Sequence, residues 1–266
     1  MSQTKIIFLG DIVGKIGRKA VKEALPKLIK KYKPDLIIAN AENIAHGSGV
    51  TNKTLKEMIA AGVDFFTSGN HIWKNPEAEE IFNTDKLPII RPANYPKGTP
   101  GDGYKIIEVG TKKIMIVNLI GRVFFREDFD CPFRKLEEIL LETNAENLDG
   151  IIVDFHAEAT SEKITLANYF DGKISLALGT HTHTQTSDNQ LLPKGTGAIT
   201  DAGMCGAKHS SLGVDLKNVI KGFLTQMPSS FEIPTSGICQ INGIFAIIKA
   251  NMLTQKIERI NIDVEV

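Results

Sequence analysis

The chain has 266 residues, and its 31 basic and 31 acidic side chains give a formal net charge of zero. This balance disfavours bulk electrostatic capture by nucleic acid or an anionic membrane, so we expect no stable nucleic-acid complex. A composition of 42% apolar and 23% charged residues is that of an ordinary folded protein and excludes a disordered or coiled-coil chain.

The same inventory predicts a cytoplasmic protein. Cys131, Cys205 and Cys239 form no CxxC pair, and an odd count argues against a disulfide framework and for a reducing compartment. The apolar run at 6–10 is too short for a signal peptide. No run approaches the ~20 apolar residues that cross a bilayer, so we expect no membrane association.

Short β-rich runs alternate with amphipathic segments in the first third of the chain. The predicted strands are 5–9, 35–40, 63–67 and 87–91. The predicted helices are a lysine-rich segment that ends at Tyr32 before Pro34, then 51–61 with Thr51 as N-cap, and 75–82. The glycine-punctuated stretch 10–17 is expected to be a loop.

Hairpin and helix signals follow in the remainder. We expect a hairpin from 104–109 and 113–119, a helix at 131–147, strands at 150–155 and 174–178 around a helix at 161–170, and antiparallel strands at 238–250 and 257–264. Early strand–helix alternation with late hairpins predicts an α/β layered fold with mixed sheets. No linker or repeat divides the chain, so we expect one domain over 1–266.

Polar residues cluster where the predicted strands end, which is where α/β folds build their sites. They are Asp11, Glu42, Asn43, Asn70, His71, His156, His181 and His183. Taken singly, each fits a turn former, an N-cap or a hydrogen-bonded histidine. As a set they are harder to dismiss, because four of the six histidines lie at these ends. If extended, the His181–His183 pair projects both rings to one face.

The donor types point to a metal centre. Carboxylates, amides and imidazoles in this mixture suit iron, manganese or zinc rather than calcium or magnesium alone. One Asp, one Glu, two Asn and three His exceed what one ion takes and fit two ions with a bridging carboxylate, the usual device for displacement at phosphorus. Other chemistries are weaker: no GxGxxG or P-loop pattern is present, and no cysteine has an assignable base. Asp201 fits a turn or a supporting role better than a ligand role.

The motifs GDIVGKIGR, NAENIAHGSGVT, SGNHIW, RPANYP, VDFHAEATSEK, GTHTHTQTSDNQLLPKGT and TDAGMCG occur in this order. Together they resemble the YmdB-type 2′,3′-cyclic-nucleotide phosphodiesterases of the calcineurin-like metallophosphoesterase superfamily. The resemblance covers nearly the whole chain and is poorest after about position 215. Most of the superfamily begins with Asp-x-His, whereas Ile12 and Val13 follow Asp11 here, a feature that the YmdB-type subgroup shares.

The resemblance implies a four-layer αββα sandwich, with two mixed β-sheets flanked by helices, and metal-dependent phosphodiester hydrolysis at two iron or manganese ions. By the same resemblance, Asp11, Asn43 and His183 hold the first ion, Asn70, His156 and His181 hold the second, and Glu42 bridges them. We expect a hydroxide held by the ions to attack phosphorus while His71 protonates the leaving oxygen.

Two other functions stay open at this point. The same centre also suits a phosphomonoesterase or protein phosphatase, which differs only in rejecting a second ester arm. A non-catalytic regulator that senses a nucleotide or RNA is an alternative from another class. In each case the expected partner is a small nucleotide or phosphodiester, and because related enzymes assemble as dimers or larger, a homo-oligomer is compatible with the family.

Overall fold

Two six-stranded mixed sheets form the centre of the computed structural model, which describes residues 3–84 and 86–266. The strands are Gln3–Ile12 (β1), Leu36–Asn40 (β2), Phe65–Thr67 (β3), Tyr104–Val109 (β4), Lys112–Ile120 (β5), Gly150–His156 (β6), Leu176–Thr180 (β7), Gln190–Leu191 (β8), Gly197–Ile199 (β9), Met204–Ala207 (β10), Ile238–Lys249 (β11) and Thr254–Glu265 (β12). The helices are Gly14–Tyr32 (α1), Asn52–Ala61 (α2), Glu77–Thr84 (α3), Pro132–Glu142 (α4), Thr160–Tyr169 (α5) and Leu216–Thr225 (α6).

Parallel strands occupy the middle of each sheet. The first sheet has the order β12-β11-β10-β1-β2-β3, and β1 runs parallel to both β2 and β10. The second has the order β4-β5-β6-β7-β9-β8, with β5, β6, β7 and β9 parallel. Because β1, β2, β3, β6 and β7 all lead into the loops that carry the polar motifs, the carboxyl ends of these strands fix where a site can form.

Three apolar layers hold the sheets and helices together. Side chains from both sheets, among them Phe8, Ile38 and Ile152, are buried against one another between the sheets. The outer face of the first sheet packs on α1, α2 and α3, and that of the second packs on α4 and α5. Strands covered on both faces read as continuous apolar runs, as in β2, where all five residues are buried. The predicted αββα arrangement of two mixed sheets is confirmed.

The predicted elements are mostly present. Thr51 caps α2, where its Oγ1 accepts a hydrogen bond from the Thr54 amide at 3.2 Å. The 10–17 loop prediction is wrong, because β1 continues to Ile12 and α1 begins at Gly14. Gly10 serves close packing instead, since a Cβ there would lie 1.8 Å from the Gly203 carbonyl oxygen. The segment 87–91 contributes a single bridge, from Ile89 to Phe66.

Several boundaries also differ. The helix predicted at 131–147 ends at Glu142, because Asn144 adopts a left-handed backbone (φ 46°) before a short 3-10 turn. The short strands β8, β9 and β10 carry too little periodic signal to be predicted. The surface helix α6 is also absent from the prediction, although its apolar residues Leu216, Val219, Ile220, Phe223 and Leu224 recur at helical spacing. Within 3–84 and 86–266, no helix combines the length and apolarity needed to span a bilayer.

Candidate metal centre

The strand ends of the two sheets bring all eight predicted site residues to one place. Asp11 lies in β1, His156 ends β6, and the others follow strands directly: Glu42 and Asn43 after β2, Asn70 and His71 after β3, His181 and His183 after β7. Asp11, Glu42, Asn43 and His156 are fully buried or nearly so. The site therefore lies deep at the junction of both sheets.

Two groups of donor atoms at this junction are compact enough to hold a metal ion. One consists of Glu42, His156 and His181, the other of Asp11, Glu42 and His183, and in each group the donor atoms lie within 4.8 Å of one another. Glu42 belongs to both groups. Its Oε2 lies 3.2 Å from His156 Nε2, while Oε1 lies 2.8 Å from Asn43 Nδ2.

Each of the three histidines has one ring nitrogen engaged on the side away from this cluster. The contacts are His156 Nδ1 to Thr180 Oγ1 at 2.9 Å, His181 Nε2 to Glu158 Oε2 at 3.1 Å, and His183 Nδ1 to the Leu212 carbonyl oxygen at 2.9 Å. An outer N–H that donates to an acceptor fixes the tautomer and leaves the lone pair on the inner nitrogen. All three inner nitrogens thus face the cluster as potential ligands.

The His156 tautomer is fixed by a buried network that the sequence did not disclose. Thr180 Oγ1 donates to Asp154 Oδ1 at 2.6 Å, so the hydroxyl oxygen must accept the Nδ1–H of His156. Asn40 Nδ2 donates to the other Asp154 oxygen at 2.9 Å. Burial raises the pKa of Asp154 to about 6. Asp154 belongs to the VDFHAEATSEK motif and Asn40 to the NAENIAHGSGVT motif, but nothing in the sequence indicates that the two side chains contact each other.

The two asparagines lie beside the histidines. Asn70 Oδ1 is 3.1 Å from His156 Nε2, and Asn43 Nδ2 is 3.1 Å from His183 Nε2. Asn43 Oδ1 points to His71 Nδ1 at 2.9 Å. The structure therefore places Asn70 with its oxygen towards the cluster, and Asn43 with its oxygen towards His71.

The His181–His183 segment is not extended, and the expectation that both rings project to one face of a strand is wrong. The backbone φ is 102° at His181 and 63° at His183, so the chain turns between them. Asp201 Oδ2 accepts hydrogen bonds from both the amide and the hydroxyl of Thr182, at 3.1 and 2.8 Å. Asp201 accordingly has the supporting role expected from its motif, because it fixes the turn that aims the two rings.

Gly69 allows the cluster to close. A Cβ at this position would lie 2.3 Å from both Glu42 Oε2 and His156 Nε2. A side chain there would separate the shared carboxylate from the imidazole. In the GNH motif, Gly69 therefore leaves room for the Glu42–His156 contact, while Asn70 and His71 supply polar side chains.

The electrostatics of the cluster favour a bound cation. Asp11 Oδ1 is buried without a hydrogen-bond partner among the described residues, and burial raises the pKa of Asp11. Burial alone lowers the pKa of His156, but the Glu42 carboxylate outweighs it and raises that pKa to about 9. Burial and the His156 charge lower the pKa of His181 to about 3, so its imidazole is neutral. The unpartnered Asp11 oxygen, the Glu42 carboxylate and the neutral His181 imidazole together form a donor set that fits transition-metal ions.

A family model described as YmdB-like protein matches residues 7–260. The chain belongs to the YmdB-like family. It is 44% identical over 261 residues to a Bacillus subtilis protein named 2′,3′-cyclic-nucleotide 2′-phosphodiesterase, with 97% of each chain covered. The resemblance read from the motifs is thereby confirmed.

Solved structures agree with this placement. The YmdB-like chain is similar to the crystal structure of a novel phosphatase from Mycoplasma pneumoniae, with 37% identity, a TM-score of 0.92, and 100% and 95% of the two chains covered. It also superposes on the NAD nucleotidase of Haemophilus influenzae with a TM-score of 0.58 at 16% identity, covering 100% of this chain and 56% of the other. The latter shows the shared fold alone.

Proposed function

We propose that this YmdB-like protein is a metal-dependent phosphodiesterase that opens 2′,3′-cyclic nucleotides. The chain is a phosphoric ester hydrolase, the class to which its named relatives belong. One observation carries the rest: two compact donor groups share the single carboxylate of Glu42. A carboxylate common to both groups could hold both members of a pair of ions ~3.5–4 Å apart.

The proposed ligand sets follow the two groups. Asp11 and His183 would hold one ion together with Asn43, whose Oδ1 would have to turn from His71 to the ion. Asn70, His156 and His181 would hold the other ion, and Glu42 would hold both. Mixed oxygen and nitrogen donors suit iron or manganese, with zinc also compatible. When bound, a pair of such ions withdraws charge from the phosphate oxygens and acidifies a water molecule.

His71 is proposed to donate the proton. Its Nδ1 lies 2.9 Å from Asn43 Oδ1 and 3.3 Å from Glu42 Oε1, while Nε2 has no hydrogen-bond partner within the described part of the chain. The hydrogen bond with Glu42 raises the pKa of His71, which favours the protonated form that an acid needs. A water molecule gives up one proton to solvent and its oxygen bonds to phosphorus, the P–O2′ bond breaks, and the Nε2 proton goes to O2′, leaving a 3′-phosphate; His71 then regains a proton from solvent.

A phosphomonoesterase is the second candidate, because the similar Mycoplasma pneumoniae structure carries the name phosphatase. The ions and His71 would act alike on a monoester, so the difference lies in the second ester arm. We further propose a reducing, cytoplasmic setting, since Cys131, Cys205 and Cys239, all within the described residues, are unpaired.

The test is hydrolysis of 2′,3′-cyclic AMP by purified protein, with p-nitrophenyl phosphate as the monoester and the metal content measured on the same sample. We expect two transition-metal ions per chain, chelator-sensitive turnover of the diester, and 3′-AMP as product. Preference for the monoester would move the function to the second candidate. A chain that takes up neither iron nor manganese would contradict both.

A further inference from the structure

A groove of about 540 Å³ opens on the surface between the segment that follows His71 and the loop that carries Tyr95. The ring of Trp73 lines it from the short 3-10 turn at 72–74, and Tyr95 lines it from the loop after the 87–91 segment. Trp73 is two residues beyond His71, a separation that spans at most about 7 Å of chain. The Cα atom at the Trp73 end of the groove therefore lies at most about 7 Å from the Cα atom of the proposed proton donor.

The wall that carries Tyr95 is fixed before any ligand arrives. The Arg91 guanidinium donates to the carbonyl oxygens of Pro92, Thr99 and Pro100 at 2.8, 3.1 and 3.1 Å. Asn94 is fully buried, and its amide donates to the carbonyl oxygens of Ile120 and Asp130. The loop between these two anchors has little freedom to close, so the groove is a preformed site rather than a gap between mobile loops.

Its aromatic walls suit a flat ring. The Trp73 and Tyr95 rings are half-buried, their centroids lie 6.2 Å apart, and their planes are inclined by 82°. The two rings contact each other edge to face, and Phe82 packs on Trp73 with ring centroids 5.2 Å apart, so a planar ligand would stack on the part of the Trp73 ring that the groove leaves open. Burial raises the pKa of Tyr95, and the charges of Glu127 and Glu42 add to this shift.

We infer that this groove binds the nucleobase of the substrate nucleotide, by stacking on Trp73, while the cyclic phosphate lies at the metal centre. The inference rests on the proposed function. It adds a binding site for the nucleobase, the part of the substrate that does not contact the metal centre. Base–aromatic stacking tolerates any base, because every base offers a π-face. The groove would therefore favour nucleotides over simple diesters without strong preference among bases.

Trp73 is the single tryptophan of the chain, which gives the inference a direct readout. Titration of the purified protein with 3′-AMP should quench its intrinsic fluorescence, whereas glycerol 3-phosphate, which carries the same kind of phosphate without a base, should not. Equal responses to the two ligands, or none to 3′-AMP, would overturn the inference. This readout requires no turnover, so it stands even if the proposed hydrolysis fails.

Kinetics give the second readout. Two substrates with the same five-membered cyclic diester are compared, 2′,3′-cyclic AMP and 1,2-cyclic glycerol phosphate, which lacks the base. In Trp73→Ala the ratio of their kcat/KM values should fall by about 5- to 150-fold, the size of one base–aromatic stack. Trp73→Phe should retain most of the ratio. A variant that is merely unfolded lowers both activities together and leaves the ratio unchanged, and an unchanged ratio in folded Trp73→Ala would refute the inference.

Discussion

The Lys163 ammonium lies 2.8 Å from Asp201 Oδ2, and both side chains are almost completely buried. Lys163 comes from α5, whereas Asp201 follows β9. The same Asp201 oxygen accepts the two hydrogen bonds from Thr182, between His181 and His183. A buried ion pair outside the centre thus determines where two proposed ligands point.

Lys163→Met should destabilise the protein and loosen the centre together. Removal of one partner leaves Asp201 buried without its counter-charge, which costs about 3–5 kcal/mol of unfolding free energy. We expect a lower urea midpoint and a lower affinity for Mn²⁺. Lys135→Met is the matched control, because Lys135 forms an ion pair of similar length, 2.7 Å, with Glu138, which is half exposed. Loss of this exposed pair should cost less than about 1 kcal/mol of unfolding free energy. Equal effects of the two variants would contradict the role of the buried pair.

His71→Ala should separate chemistry from metal binding. If His71 acts as the acid, turnover of 2′,3′-cyclic AMP falls by about 10²–10⁴-fold, while both ions stay. The measurements are kcat and metal content on one sample. Loss of an ion in the variant would instead identify His71 as a ligand.

Glu42→Ala and Asn70→Ala should differ in how many ions they lose. Glu42 is common to both donor groups, so its removal should release both ions and abolish turnover. Among the described residues, Asn70 contacts His156 and belongs to one proposed ligand set, so its removal should weaken the binding of one ion. Elemental analysis after dialysis distinguishes the outcomes, and a Glu42→Ala protein that retains one tightly bound ion would exclude the shared position.

Gly69→Ala should disrupt the centre without a backbone penalty. The added methyl group would meet Glu42 Oε2 and His156 Nε2 at 2.3 Å, closer than real Cβ contacts. We expect reduced metal content in a protein that still folds. Gly222→Ala in α6 is the control, since its methyl group would meet the Ser229 hydroxyl at 3.1 Å and the Met227 carbonyl oxygen at 3.9 Å, and neither belongs to the centre. Full metal occupancy in Gly69→Ala would show that the cluster expands freely.

Metal removal should lower the thermal stability of the wild-type protein. The donors come from strand ends of both sheets, so bound ions stabilise their junction by mass action, by about 2.7 kcal/mol at a hundredfold excess over Kd. A chelator should lower Tm, and added Mn²⁺ should restore it. Glu42→Ala should show no such shift; a shift of the same size in that variant would place the responsible ion elsewhere.

The sequence indicated which residues meet, because parallel strands deliver their carboxyl ends to one edge and the polar motifs follow those ends directly. It could not indicate how they are held. The turn at His181 and His183 depends on Asp201, and the outer contact of His183 is a backbone carbonyl at Leu212. Such contacts are set by packing between elements far apart in the chain, which no local pattern encodes.

Contacts between distant segments also explain why the sequence does not indicate the packing role of Gly10 and Gly17 or the groove between Trp73 and Tyr95. The spacing of Gly10 and Gly17 favours a loop, whereas in the structure Gly10 packs closely on Gly203, just before β10, and Gly17 packs on Cys205 within β10. Trp73 and Tyr95 belong to separate motifs, and their proximity follows only from the anchored loop between them. Pattern reading located most periodic elements, with α6 as an exception, and the donors at strand ends, but it fails where short segments pack on one another.

The direct pairing of β1 with β11 has a consequence for synthesis on the ribosome. Residues 3–9 pair with residues 243–249, so the strand that carries Asp11 cannot pair with β11 until roughly 240 further residues have been synthesised. At bacterial or eukaryotic elongation rates this delay is on the order of tens of seconds. During that interval an apolar strand edge is exposed in the nascent chain, which makes translation speed and chaperone access determinants of yield for this protein.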